Sequence, residues 1–372
     1  MKNKSVLLTF LGNFHYDSRI TNLYNSFSER GYKVEVVSYD WLTKGFKTER
    51  GKISVYKLKK GSFPILYYLK FSFYLSYHLL FTKADLIFAE DVYTLPFVVM
   101  FARIKKAKVC YDSREIYSQL AGLSTKKNVQ AFWSWIEKTC IKRVDIIMTT
   151  GELDSAYIEK KYNLEGTVVI RNLPLAQEIP ESFDFRKHLD LREDDKILLY
   201  QGVILPGRGL RIIIDIIDRL PNCILVVLGD GEYREYFQSV VKEKKLNDKV
   251  IFFGKVKQDE LLKYTSGADI GLAIIENLSL SYYYALPNKM FEYIYCGLPV
   301  IASNLPQMKQ ITDKYNVGMI VHEENKEEIV MAINTLVQDK EVRSKLAYNC
   351  KIASLELNWQ IEIQKLFNLL EQ

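Results

Sequence analysis

Short apolar runs rich in β-branched side chains recur along the chain, separated by longer stretches of helical periodicity. In the first half the runs are Val6–Phe10, Val34–Ser38, Ile53–Leu58, Leu86–Ala89, Lys108–Tyr111, Ile146–Thr149 and Val168–Ile170. In the second half they are Ile197–Gln201, Ile224–Gly229, Val250–Gly254, Ile270–Ile275, Val300–Ser303 and Met319–Val321. They are near-continuous in apolar character, the pattern of parallel strands covered on both faces. Strand, helix, strand repeated through both halves predicts an α/β chain built from two Rossmann-like, doubly wound domains. Residues 1–172 make the first domain, the polar segment 173–195 with Pro174 and Pro180 a linker, and residues 196–354 the second domain. Over 355–372, Trp359, Ile363, Leu366, Phe367 and Leu370 fall at helical spacing and predict a last helix that packs back on the first domain. Ligands of such sheets bind beyond the carboxyl ends of the strands, so the two domains are expected to face a central cleft.

Composition adds a compartment and a surface. The chain has 372 residues, 48% of them hydrophobic, enough for two cores. Five cysteines stand without a C-x-x-C pair or a metal-ligand spacing, which suits a reducing, cytoplasmic setting. The apolar start Met1–Phe10 is too short for a signal peptide and reads as a first strand. Charge is uneven: residues 1–172 carry 27 Lys and Arg against 16 Asp and Glu, within a chain whose net charge is +6. A basic half points to nucleic acid or an anionic membrane. The aromatic stretch Phe63–Phe81, interrupted by Lys70 and His78, fits either an interfacial helix on the inner face of the cytoplasmic membrane or a helix buried in the core. With no nucleic-acid-binding signature beside the basic residues, nucleic acid is not an expected partner.

Candidate chemistry gathers at strand ends. In Leu286–Ala302, Pro287 opens a helix, and Asn288, Lys289 and Glu292 share one face of it through i, i+3 and i+4 offsets. Met290, Phe291 and Ile294 form the opposite, apolar face, and Gly297 and Pro299 end the helix before the next strand. That polar face reads either as an ordinary solvated surface or as a site in which Lys289 and backbone N–H groups meet phosphate and Glu292 accepts hydroxyl protons. Tyr200–Leu210 has the G-x-x-x-x-G spacing of a phosphate loop, with Gly207 and Arg208 at a helix start. Gly209 occupies the position of the magnesium-binding hydroxyl, so metal-assisted triphosphate chemistry is not expected and an arginine facing a diphosphate is. Gly229-Asp230-Gly231 is a second strand-to-helix turn, and Gly12 ends the first strand, where it lets a ligand approach the backbone. Asp91 beside Glu90, and Asp112, Arg114 and Glu115, stand just past strand ends, where they serve either as helix caps or in hydroxyl recognition and proton transfer. No Asp-x-Asp pair follows a strand and no cluster has metal spacing, so neither a metal nor another cofactor is expected.

Taken in order, four segments resemble the retaining glycosyltransferases of family 4, which have the GT-B fold. They are Tyr200–Leu210, Gly229-Asp230-Gly231, Ala268–Ala273 and Pro287–Ala302, and Tyr111–Glu115 resembles a further family segment of the acceptor domain. The resemblance implies a GT-B architecture in which the second domain binds a nucleotide-sugar donor, UDP- or GDP-linked. In that reading Glu292 meets the ribose hydroxyls and the backbone of Lys255, Val256 and Lys257 holds the base. Arg208 stabilises the leaving diphosphate, joined by Lys289. The donor set further includes Gly207, Gly229, Asp230, Tyr284 and Asn288. Asp112 is expected to be catalytic, and Gly12, Asp91, Arg114 and Glu115 to face the acceptor. Three positions depart from the family: Val203 replaces the loop arginine, Tyr284 the first glutamate of the E-x7-E pattern, and Arg114 the family's histidine. The expected function is metal-independent, retaining transfer to a glycan or lipid-linked acceptor in cell-surface polysaccharide assembly. Two other readings stay open, a non-catalytic partner subunit that binds sugar nucleotides and a sugar-nucleotide epimerase on the same fold.

Overall fold

The apolar runs become two all-parallel sheets. The computed structural model describes residues 4–40, 51–58, 64–120, 122 and 126–371. The first sheet comprises β1 (Ser5–Phe10), β2 (Lys33–Asp40), β3 (Ile53–Lys57), β4 (Leu86–Ala89), β5 (Lys108–Ser113), β6 (Ile146–Thr149) and β7 (Val168–Val169). The second comprises β8 (Lys196–Gln201), β9 (Cys223–Leu228), β10 (Val250–Gly254), β11 (Ile270–Ala273), β12 (Val300–Ser303) and β13 (Gly318–Val321). Their orders are β3-β2-β1-β4-β5-β6-β7 and β10-β9-β8-β11-β12-β13. Each order reverses once, between β1 and β4 and between β8 and β11. In open α/β sheets of this kind, ligands bind at the carboxyl ends of the strands beside such a reversal.

Helices cover both faces of each sheet, which is why the strands carry apolar side chains in both directions. Leu198, Tyr200, Leu225 and Val227 face one core of the second sheet, and Ile197, Leu199, Val226 and Leu228 face the other. By contact density the chain divides into a first unit, Met1–Asn172 with Ile363–Gln372, and a second unit, Leu173–Glu362.

Two segments differ from the sequence expectation. Residues 173–195 are not a free linker. Leu173 and Phe185 lie in the core of the second unit, Phe185 starts a short helix (Phe185–His188), and Phe183 N donates to Lys263 O at 3.0 Å. The aromatic side chains Phe183 and Phe185 outweigh the two prolines and the surrounding acids, because burying each removes a large apolar area from water. The expected last helix is broken in two. Trp359–Glu362 is held in the second unit, where Trp359 N donates to Pro174 O at 2.8 Å. Gln364–Glu371 lies in the first, with the Phe367 ring 5.1 Å from Phe27 and the Arg30 guanidinium 3.8 Å above Phe367.

The aromatic stretch forms a helix, Pro64–Phe81; Phe63 lies outside the described residues. One stripe of it (Tyr67, Phe71, Leu75, Leu79) is buried in the first core, and the other (Leu66, Leu69, Phe73, Tyr77, Leu80) faces solvent. The core-helix reading holds for the buried stripe, and the other stripe is exposed apolar surface. Among the described residues no helix is long and apolar enough to cross a membrane.

Candidate functional site

At the β8/β11 reversal the chain places three of the expected side chains together. The loop after β8 is pinned to its neighbours by glycine contacts. Gly207 has φ +79°, its carbonyl accepts Glu276 N at 2.9 Å, and a Cβ there would lie 2.6 Å from the Tyr282 ring. Gly229, at φ +143°, presses against the same loop so closely that a Cβ would lie 1.9 Å from Gly202 O. These approaches fix the path of the loop, and Arg208 projects from it with its guanidinium 5.8 Å from the centre of the Tyr282 ring.

The helix Asn288–Tyr295 supplies the other two. Its apolar residues Met290, Phe291, Tyr293 and Ile294 are buried, and Tyr293 OH donates to Leu199 O at 3.0 Å, which fixes the helix against β8. Lys289 is carried inward with them. It is 6% exposed, its ammonium sits 4.2 Å from the centre of the Tyr200 ring, and among the described residues its Nζ has no hydrogen-bond partner. Arg208 Nε is buried without a partner as well. Donors left bare in a folded interior are costly, roughly 1–3 kcal/mol each and more when charged, so such a pair is a common mark of a ligand's place.

Glu292 is held from two sides. Gln201 Nε2 and the Gln258 amide donate to it, and Thr265 Oγ1 lies 2.7 Å from Gln201 Oε1, which turns the Gln201 amide nitrogen toward the carboxylate. Burial raises the Glu292 carboxyl to about 7, against the opposing pull of the two amides and Lys289. Burial lowers Lys289 to about 7, with the neighbouring Arg208 charge adding to the shift and Glu292 opposing it. An unpaired ammonium, a guanidinium and a carboxylate at a sheet reversal suit a ligand that combines anionic oxygens with hydroxyl groups.

Other expected donor residues lie around this centre in looser surroundings. Asn288, Lys255 and Lys257 are exposed, and Val256 packs partly against the second core. Asp230 is exposed, with its own Gly231 N bonded to it at 2.9 Å and Arg234 3.8 Å away. Tyr284 is half-buried and its carbonyl accepts Gln307 Nε2 at 2.5 Å, whereas Tyr282 is the tyrosine that reaches Gly207 and Arg208. The tyrosine beside the loop is thus Tyr282, in the short helix Leu280–Tyr283, two residues before the Tyr284 of the expected donor set.

At the β1/β4 reversal of the first unit, three of the expected residues are tied into ion pairs and backbone caps. Asp112 is fully buried, and both of its oxygens are taken by Arg19, through Nε and through Nη2 at 2.8 Å. It is the counter-ion of the buried Arg19, with Arg114 Nε a further 3.6 Å from its Oδ2. Asp91 is also buried, and caps its surroundings by accepting Leu11 N at 2.6 Å and Thr94 N at 2.8 Å. Arg114 spends its two terminal nitrogens on Asp17 (2.8 Å) and Glu90 (2.5 Å), above the Phe10 ring. Gly12 gives close approach to Phe10, whose ring a Cβ would meet at 2.3 Å, and Glu115 is exposed. Glu90 is buried, and that burial drives its carboxyl up to about 8 in spite of Arg114.

Gln201, Thr265, Gln258, Tyr200 and Tyr282 carry the geometry of the second site and had no role in the sequence reading. Gln201 offered one signal: it is a polar residue ending an otherwise apolar strand.

Residues 181–352 match the sequence profile of the family described as Glycosyl transferases group 1. Over that stretch, a little under half of the chain, it is similar to that family. The match covers the whole of the helix-borne site and the loop after β8. A lipopolysaccharide core biosynthesis glycosyltransferase, LpsE of Rhizobium meliloti, is 25% identical over 162 residues, 44% of this chain and 45% of the relative. The chain spans about half the length of the curated relatives it matches. Among solved structures, sucrose-phosphate synthase from Thermosynechococcus elongatus superposes with a TM-score of 0.78 at 18% identity, over 99% of this chain and 98% of that one. HepE of Anabaena in complex with UDP-glucose superposes with a TM-score of 0.73 at 16% identity, over 99% of each chain. At these identities the likeness is one of fold, and the fold is GT-B.

Proposed function

We propose that this chain is a retaining, metal-independent glycosyltransferase whose second unit holds a nucleotide-sugar donor. The observation that carries the reading is the pair of partnerless cationic groups, Lys289 Nζ and Arg208 Nε, beside the clamped carboxylate of Glu292. Glu292 accepts the ribose hydroxyls, and Arg208 and Lys289 take the two phosphates. As the bond from sugar to diphosphate breaks, negative charge builds on the leaving phosphate, and cations already in place stabilise it without rearrangement. Val203, which replaces a loop arginine of the family, is half exposed at 51% and gives the phosphates no charge. Lys289 supplies the second cation from the helix. UDP and GDP remain the two candidate nucleotides, and the complex of HepE with UDP-glucose favours UDP.

The acceptor is a lipid-linked glycan, and the first unit works at the inner face of the cytoplasmic membrane. Three helices, Pro64–Phe81, Leu95–Lys105 and Lys127–Ile141, the middle one packed against the other two, carry exposed Leu69, Phe73, Phe81, Ile104 and Trp135. The first two contain no acidic residue, and Lys70, Arg103, Lys127, Lys138 and Lys142 stand on or beside the three helices. Apolar side chains to enter the acyl boundary and lysines to meet anionic headgroups are the parts of an interfacial anchor. Retention and acceptor class are tested together by incubating the protein with UDP- and GDP-sugars and lipid-linked acceptors in vesicles, then determining the anomeric configuration of the product. A product of inverted configuration overturns the retaining mechanism, and transfer only to water-soluble glycans overturns the lipid-linked acceptor.

A further inference from the structure

The buried ammonium of Lys289 has consequences beyond charge neutralisation, and they rest on the donor-site reading above. Its Nζ is enclosed by the Tyr200 ring on β8, and the charged groups acting on it are Arg208 on the loop after β8 and Glu292 one turn along its own helix. Tyr200 OH is turned away and donates to Val203 O at 2.9 Å. An enclosed, partnerless ammonium beside an arginine is a poor place for positive charge. A diphosphate arriving at Arg208 reverses that balance by bringing negative charge and acceptor oxygens to the same place.

We propose that Lys289 takes up a proton from solvent when a nucleoside diphosphate enters the site, so that donor binding and protonation of this lysine are one coupled event. The proton goes to the Nζ lone pair, the N–H so formed points at a phosphate oxygen, and the proton returns to solvent when the diphosphate leaves. Between turnovers the site holds one permanent cation, Arg208, and one that appears on demand.

The sign follows from linkage. Lys289 lies at about 7 in the free protein, and a bound diphosphate raises it. The contribution of Lys289 to affinity is therefore full below about 7 and falls as pH rises above it, by up to about tenfold per pH unit until the bound-state value is passed. Glu292, also at about 7 in the free protein, moves the other way, because hydroxyl donors favour its ionised form. Below about 7 donor binding releases a proton from Glu292. Net proton exchange thus changes sign across neutrality.

The experiment is calorimetric titration of the full chain with UDP-glucose, GDP-mannose and ADP-glucose, each in two buffers of different ionisation enthalpy. The titrations are run at about pH 8 and about pH 6, on either side of the two groups' values near 7. Sugar nucleotides have no titrating phosphate in this range, so exchanged protons belong to the protein. The expected result is uptake approaching one proton per site at the higher pH and release at the lower. In Lys289→Arg, which keeps a permanent cation, and in Lys289→Met the uptake is absent while residual binding persists. Binding by wild type with no buffer dependence at the higher pH overturns the proposal, as does undiminished uptake in the two variants. If none of the three nucleotides gives binding heat, the donor-site reading fails and this inference with it. That outcome is distinct from binding without proton exchange.

Discussion

The two sheets reverse their strand order in the same way, yet the two reversal points treat charge in opposite ways. At β1/β4 the charged side chains are mostly spent on one another: Arg19 on Asp112, Arg114 on Asp17 and Glu90, and Asp91 on two backbone N–H groups. At β8/β11, among the described residues, Lys289 Nζ and Arg208 Nε have no hydrogen-bond partner, and Glu292 accepts hydrogen bonds from two neutral amides. The difference teaches how to tell a structural charge from a functional one. A buried charge with its bonds filled serves the fold, and one whose bonds are left open at a strand end is a candidate to meet a ligand. The first unit is not wholly closed, since among the described residues Glu90 Oε1 and Arg114 Nε also lack a hydrogen bond, Arg114 Nε standing 3.6 Å from Asp112 Oδ2. It departs from the second in degree, with ion pairs already formed around those two atoms.

The comparison is broken or sharpened by exchanging effects between the units. The largest expected effect is on stability in the first. Asp112→Ala leaves Arg19 buried and unpaired and costs roughly 3–5 kcal/mol, read by urea denaturation, while nucleotide affinity of the folded fraction is unchanged. Loss of nucleotide binding at full stability would return Asp112 to the catalytic list. Next comes Arg208→Ala, which is expected to cut turnover about 10²–10³-fold at an unchanged denaturation midpoint. A midpoint that drops with the activity would make Arg208 a structural residue like Arg19. Glu292→Gln keeps the shape but loses the charge that ribose hydroxyls meet, and affinity for the nucleotide should fall on the order of tenfold, as for one hydrogen bond to a charged group. Equal affinity in that variant removes the ribose role. The smallest effect is at the outer face of the first unit, where each of Lys70→Gln and Lys127→Gln should weaken binding to anionic vesicles by about 1 kcal/mol, measured by sedimentation at low salt. Unchanged sedimentation in the double variant would detach that face from the membrane reading.

Much of the fold was legible because parallel strands buried on both faces leave near-continuous apolar runs, and every such run became a strand. The linker was misread because prolines and acids dominate residues 173–195 by number, while two phenylalanines decide where the segment packs. The site was legible only in part. Helical spacing put Lys289 and Glu292 on one face, and the glycine spacing singled out Arg208. Spacing does not say whether a strand-end carboxylate has already met its cation. Asp112 is neutralised by Arg19, 93 positions earlier, and that pairing exists only once β1 and β5 flank β4. For the same reason Gln201 was missed, since its value lies in touching Glu292 and Thr265, both far along the chain.

The central claim, that open cations at β8/β11 hold a diphosphate, is tested most directly by calorimetric titration with UDP, GDP, ADP and CMP. Wild type would be compared with the double variant Arg208→Ala/Lys289→Met. The account predicts that wild type binds a nucleoside diphosphate, and that the double variant, still folded, binds it at least about 100-fold more weakly, the scale of two lost charge-assisted contacts. Equal affinity in the two proteins would contradict it.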